Sequence, residues 1–193
     1  LLFINVSFGG GALDKAEKKE YTIVNLVAVS NLGSNLDLFN IAVSIPSVEY
    51  EPEQFPGAIM RLPEPRMTIT LFKNGKINCA GAQKESDIPR GIINTCKLLK
   101  EITPGLKIPT NPEYKIVNLV ANAQLDLKVD LFSLATKLEN VEYEPEQFPG
   151  AIVRLFDPKI SLLLFKNGKM ICAGAKNEKE ITDSIARIKK LLK

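Results

Sequence analysis

The chain has 193 residues, with 25 lysines plus arginines against 22 aspartates plus glutamates and a net charge of +3. That length holds one large domain or two small ones, and so weak a basic balance permits a nucleic-acid partner without arguing for one. Histidine and tryptophan are absent, which removes the commonest general base and metal ligand together, and no apolar run nears the roughly 18 residues of a membrane span.

Leu1 to Phe8 is apolar but lacks a basic head and a cleavage site, so it does not read as a signal peptide. Gly9 to Gly11 and the charged stretch to Glu20 complete a flexible lead-in over residues 1–20. Ile23 to Val29 is β-branched and apolar, a strand by composition, and Asn31 to Asn35 is a loop. Asp37 or the residue before it can cap a short helix over Leu38 to Ile45, closed by Pro46. A short strand at Val48 to Glu51 leads into a turn-rich loop, Pro52 to Gly57, with Phe55 at its tip. Strands follow at Ala58–Leu62, Met67–Phe72 and Lys76–Ala82, the last two joined at Asn74-Gly75, a strong hairpin signal. A helix over Glu85 to Glu101 ends the unit, with Pro89 tolerable because it lies in the first turn.

The whole unit then recurs. Residues 21–100 align with 114–193 at a constant offset of 93, with no gap and about 44 of 80 pairs identical. The run from Val48 to Ile59 returns letter for letter as Val141 to Ile152, and Leu71–Lys76 returns as Leu164–Lys169. Residues 101–113, rich in proline, read as a linker, and the closing helix of the second copy spans Glu180 to Leu192. Two copies of about 80 residues are too long for solenoid repeats, and each is near the size where one core is marginal, so they should share a sheet or an interface. A ligand of such a pseudo-twofold body should itself be close to twofold symmetric, as a duplex is.

Two helices cannot cover both faces of a five-stranded sheet, so one face of each copy should stay bare. Both strand parities carry apolar groups: Ile23, Asn25 and Val27 alternate with Val24 and Leu26, and Leu163 and Phe165 alternate with Ile160, Leu162 and Leu164. A bare, partly apolar sheet face is a binding surface or an aggregation liability, and binding is the better reading here. Cys79, Cys96 and Cys172 form no CxxC pair, so buried core thiols in a reducing compartment are expected, with no metal or cofactor. Neither phosphate loop, nucleophile elbow nor metal cluster is present, so an enzyme is not expected.

The duplicated YEPEQFPG, the RL…P(K/R) segment, LFxNGK and CAGA resemble the TATA-box-binding protein family over about residues 21–193, the archaeal type more than the eukaryotic. The resemblance implies an α+β fold: two pseudo-symmetric repeats forming a ten-stranded antiparallel saddle-shaped sheet with four helices on the convex face. It implies an A/T-rich promoter duplex bound on the concave face through the minor groove. The kink of roughly 80° known for the family is the family's own value, adopted as an expectation. Asn25, Val27, Asn118 and Val120 match its central groove contacts, with Leu163, Ile171, Ala80 and Ala173 beside them. Phe55 with Phe72, and Phe148 with Phe165, match its base-step wedges. Arg61, Asn74, Lys76, Arg154, Asn167, Lys169 and Lys176 match phosphate contacts. Glu144, Glu146 and Gln147 match the loop where a TFIIB-like factor docks ahead of the RNA polymerase machinery.

The resemblance also implies the cytoplasmic nucleoid of an archaeon (or a nucleus in a eukaryote); with no long apolar run a membrane partner is not expected, and whether two DNA-free copies pair through the apolar underside is left open by the sequence. Departures are specific. Ala80 and Ala173 stand where the family has threonine, Thr70 and Asn78 replace apolar groove residues that Leu163 and Ile171 retain, and Gln83 replaces a basic residue kept as Lys176. The first half should therefore grip more weakly. Two alternatives stay open: Phe55 and Phe148 as loop core, and the two asparagines as a buried structural network. A second functional reading follows from the departures, a protein-interaction module that has lost promoter binding.

Overall fold

The computed structural model describes residues 20–192. The lead-in over residues 1–20 thus lies outside the described residues except for Glu20. The first copy runs β1 (Tyr21–Asn31), α1 (Leu38–Ser44), β2 (Val48–Glu49), β3 (Ala58–Leu62), β4 (Met67–Leu71), β5 (Lys76–Ala82) and α2 (Asp87–Leu99). The second runs β6 (Tyr114–Gln124), α3 (Leu131–Lys137), β7 (Val141–Glu142), β8 (Gly150–Phe156), β9 (Lys159–Phe165), β10 (Lys169–Ala175) and α4 (Glu178–Leu191). All ten strands form one antiparallel sheet in the order β2-β3-β4-β5-β1-β6-β10-β9-β8-β7. The order reads the same from both ends, because a pseudo-twofold axis passes between β1 and β6.

That axis can be located to a residue pair. Leu26 lies opposite Leu119, its own counterpart, while Asn25 lies opposite Val120 and Val27 opposite Asn118. Both leucines are buried and belong to one core that joins sheet residues such as Met60, Ile69, Cys79, Val153 and Cys172 to helix residues Leu38, Ile41, Ile88, Ile92, Leu131, Ile181 and Ile185. All four helices therefore cover the same face of the sheet, and the other face is bare. Two further bonds cross the axis reciprocally: the Tyr21 hydroxyl donates to Glu178, and the Tyr114 hydroxyl donates to Glu85 at 3.1 Å. Burial first, and the Glu85 carboxylate second, hold the Tyr114 phenol above its ordinary pKa.

The alternation expected for β1 breaks at a bulge. Ile23 pairs with Ala121 and Asn25 with Val120, leaving Val24 as the extra residue, and Val117 is extra in β6 in the same way. Ile23 and Ile116 consequently turn to the helix side and pack on the core, so Ile23 does not share a face with Asn25. The closing helices begin at different places for a capping reason. Asn177 accepts from the Glu180 N–H at 2.9 Å and Glu180 reaches back to the Lys176 N–H at 2.8 Å, which starts α4 at Glu178. The equivalent of Asn177 is Lys84, which cannot cap, and α2 starts only at Asp87. Asp37 and Asp130 cap α1 and α3 as expected, each accepting at 3.0 Å from the residue three ahead. Residues 101–113 also contribute Leu106 to the core.

Each Asn-Gly hairpin turn places a glycine at positive φ, +79° at Gly75 and +80° at Gly168. A Cβ at Gly168 would stand 2.3 Å from the Leu125 carbonyl oxygen and 2.4 Å from that of Leu127. Gly168→Ala should therefore destabilise the fold by more than about 1 kcal/mol, read as a lowered midpoint of thermal or denaturant unfolding. The three cysteines are buried as expected. Burial pushes the Cys79 thiol up to about 12 and that of Cys172 to about 11. A thiol-specific disulfide reagent at pH 8 should label none of the three until the chain unfolds. Because the folded values lie above the unfolded ones, the stability they contribute is present below about pH 8.5 and declines as pH rises toward 11–12.

Candidate nucleic-acid interface

On the bare face the central strands present Asn25, Val27, Asn118 and Val120, all half-buried, between buried neighbours that face the helices. Each asparagine is tied to a second bulge. In the β1–β5 ladder Leu26 pairs with Ala82 and Val27 with Ala80, so Gly81 is passed over, and Gly174 is passed over in the same way between β6 and β10. These glycines sit at φ +102° and +107°, a backbone state open to glycine but rarely to other residues. The N–H each bulge takes out of the ladder donates to an asparagine: Gly81 to Asn25 Oδ1 and Gly174 to Asn118 Oδ1, both at 2.9 Å. Because only the oxygen can accept, these bonds fix which way each amide points. The carbonyl end is used inside the protein, and the Nδ2 end, with two N–H donors, makes no hydrogen bond among the described residues.

The asparagines are thus structural and available at once, and the structure does not make the choice between these roles that the sequence left open. Asn118→Ala removes the acceptor and leaves the bulge N–H without its partner. The variant should lose about 1 kcal/mol and show faster hydrogen exchange at the Gly174 amide, with the Gly81 amide unchanged.

At each end of the face stands a phenylalanine pair. The rings of Phe55 and Phe72 are 6.1 Å apart at 63°, and those of Phe148 and Phe165 are 6.0 Å apart at 59°. Phe55 and Phe148 are 42% and 41% exposed, which excludes the loop-core alternative. Their loops are preformed: the N–H groups of Phe55 and Phe148 donate to Glu51 and Glu144 carbonyls at 3.0 and 2.9 Å. Gly57 and Gly150 make room for the rings, since a Cβ there would meet Phe55 at 2.7 Å or Phe148 at 2.8 Å. Neither these glycines nor Gly81 and Gly174 were picked out by sequence reasoning, although the repeat of FPG and AGA in both copies was the available signal.

The basic residues fall into distinct groups. Arg61 pairs with Glu49 on the neighbouring edge strand, and Arg154 grips Glu142 through Nε at 3.2 Å and Nη2 at 2.9 Å. That pairing holds the Glu142 carboxyl below its usual range. Lys76 and Lys169 are exposed at the hairpin ends and take part in no ion pair among the described residues. Asn74 and Asn167 accept through Oδ1 from the N–H of Lys76 and Lys169 at 3.1 and 3.0 Å, which orders the turns and leaves Nδ2 outward. Lys176 stands apart: it lines a cleft with Leu26, Leu119 and Gln83 at the start of α4, away from the hairpin cations. Ala80, Ala173, Leu163 and Ile171 are half-buried on the bare face, and Glu144, Glu146 and Gln147 are exposed in the second preformed loop.

One open ten-stranded sheet, helices on a single face and twin aromatic pairs about a pseudo-dyad define a class of internally duplicated, open-faced sheet proteins. The sequence profile of the family described as transcription factor TFIID, or TATA-binding protein, matches residues 20–102 and 113–193. The chain is 43% identical over 173 residues to the TATA-box-binding protein of Pyrobaculum calidifontis, covering 90% of this chain and 86% of that one. It is 43% identical over 177 residues to that of Picrophilus torridus, covering 91% and 95%. The solved structure of Methanococcus jannaschii TBP superposes with a TM-score of 0.82 at 40% identity, covering 90% of this chain and 98% of that one. The chain belongs to the TATA-binding protein family, and its relatives here are archaeal.

Proposed function

We propose that this protein is a general transcription initiation factor that binds A/T-rich, TATA-type promoter DNA through the minor groove, bends it and recruits a TFIIB-like factor. The observation that carries the reading is the two phenylalanine couples at equivalent ends of one helix-free face, each with one exposed ring, Phe55 or Phe148, against a half-buried partner. Between them, Asn25 and Asn118 leave their Nδ2 donors unbonded, because their oxygens are turned toward the Gly81 and Gly174 N–H groups. A·T and T·A pairs show the minor groove only acceptors, so a pair of presented donors suits both orientations of the pair. Val27, Val120, Leu163, Ile171, Ala80 and Ala173 supply apolar contact to the groove floor.

Wedging Phe55 with Phe72, and Phe148 with Phe165, between base steps costs a few kcal/mol per step, offset by the larger protein surface a bent duplex contacts. TA steps unstack most readily, so deformability adds sequence preference. Arg61, Asn74, Lys76, Arg154, Asn167 and Lys169 contact phosphates, which set affinity and salt dependence rather than sequence; Lys176, in the cleft it shares with the core leucines Leu26 and Leu119, is not among them. Glu144, Glu146 and Gln147 form the TFIIB-like factor's docking loop, already ordered before it arrives, and the polymerase machinery follows. In the absence of DNA the same underside pairs two copies, and the site of action is the archaeal nucleoid in the cytoplasm.

The test is a duplex with an A/T-rich centre and fluorophores at both ends. Wild type should raise energy transfer on binding, and F148A/F165A should abolish that rise while keeping the thermal midpoint close to wild type. Normal bending by the double variant rejects the wedge assignment. Arg154→Ala should weaken binding evenly across sequences and shallow the salt slope by about 1. A chain with no DNA affinity at low salt would instead be the protein-interaction module.

A further inference from the structure

We propose that Asn78, with Thr70 beside it, lets the first half of the interface accept a G·C pair that the second half rejects. The inference rests on the minor-groove reading above, and the pseudo-twofold axis supplies its internal control. Across the bare face of the first copy, Cα partners run Val29, Asn78, Thr70, Ile59. The equivalent row of the second copy runs Asn122, Ile171, Leu163, Ile152. Two adjacent positions are thus polar in one half and aliphatic in the other.

Asn78 and Thr70 are half-exposed, and their strand neighbours Ile77, Cys79, Ile69 and Leu71 are fully buried on the helix side. Neither side chain makes a hydrogen bond among the described residues. This separates Asn78 from Asn25, whose oxygen is taken by the Gly81 N–H. Asn78 therefore presents a donor and an acceptor to the groove, and Thr70 adds a hydroxyl that can serve as either. Beyond the acceptors common to all pairs, the minor groove holds one donor, the N2 amino group of guanine. Asn78 can meet an A·T pair with its N–H and a G·C pair with its carbonyl oxygen. Ile171 and Leu163 can do neither, and an amino group pressed against them loses its water with no replacement. The polar member of the second row, Asn122, lies on β6 beside Thr22, one strand nearer the axis, and so over a different base pair.

A G·C pair in only one half of an otherwise A/T site should then orient the protein, since binding with the first copy over that pair avoids the clash. The experiment compares an all-A/T duplex, a duplex with one G·C pair in one half, and one with G·C at both twofold-related positions, scanned along the site. For wild type the single replacement at the Asn78 position should cost no more than about threefold, and the double replacement about tenfold more, the scale of one mismatched pair. T70L/N78I copies the residues the second half already folds with; measured against its own affinity for the all-A/T duplex, it should lose about tenfold on the single replacement. L163T/I171N should relieve the double-replacement loss, and N122V should change neither. Equal single-replacement losses in wild type and T70L/N78I overturn the inference, as does transfer of the effect to N122V. Failure of wild type to bind the all-A/T duplex instead overturns the minor-groove reading, and this inference with it.

Discussion

The pairing of β1 with β6, with Leu26 opposite Leu119, is the constraint on which the rest of the molecule depends. A one-residue slip would turn the core face of one central strand outward. In the observed register the two leucines close the core at its middle, and each asparagine faces its counterpart's valine across the axis. The halves therefore become one sheet rather than two small sheets in contact. Since every helix packs on the side the leucines occupy, the opposite side is left as a continuous strip ending in a phenylalanine pair at each extremity.

Fold and candidate site share atoms. The bulge glycines, Gly81 and Gly174, each take one N–H out of the strand ladder, and that N–H would be costly without a partner. The asparagine oxygens supply it, and in doing so they turn toward the bulge and leave the Nδ2 donors on the open face. A device that stabilises an irregular strand pair thus also sets the hydrogen-bonding character of the surface. The aromatic ends follow a similar logic, with Gly57 and Gly150 lending the space in which a ring can stand against the strand while keeping an open edge.

Much of this was legible in the chain. The offset of 93 residues announced two units, the Asn-Gly pairs announced hairpins, and the FPG loops announced exposed aromatics. The bulge at Val24 was not legible, because both faces of β1 carry apolar side chains and strict alternation has nothing to contradict it. Ile23 was therefore assigned to the wrong face. The late start of α2 was hidden because the cap that starts α4, Asn177, has only a lysine as its counterpart. The engagement of Arg61 and Arg154 by Glu49 and Glu142 depends on which edge strand lies beside β3 and β8, which no local pattern discloses. Among the residues of the bare face, identity and facing were readable from the repeat, whereas the bond each asparagine oxygen accepts required the passed-over glycine to be seen.

The crossed tyrosine–glutamate bonds have one more implication. Tyr21 reaches the glutamate of the other copy and Tyr114 returns the contact, the exchange that two identical subunits make across an isologous contact. A half-length chain would carry both the tyrosine and its acceptor yet could join them only through a neighbour like itself, and its first strand would keep a naked edge until that neighbour arrived. Covalent tandem fusion removes the dependence on concentration and frees each half to diverge while its twin keeps the joint closed.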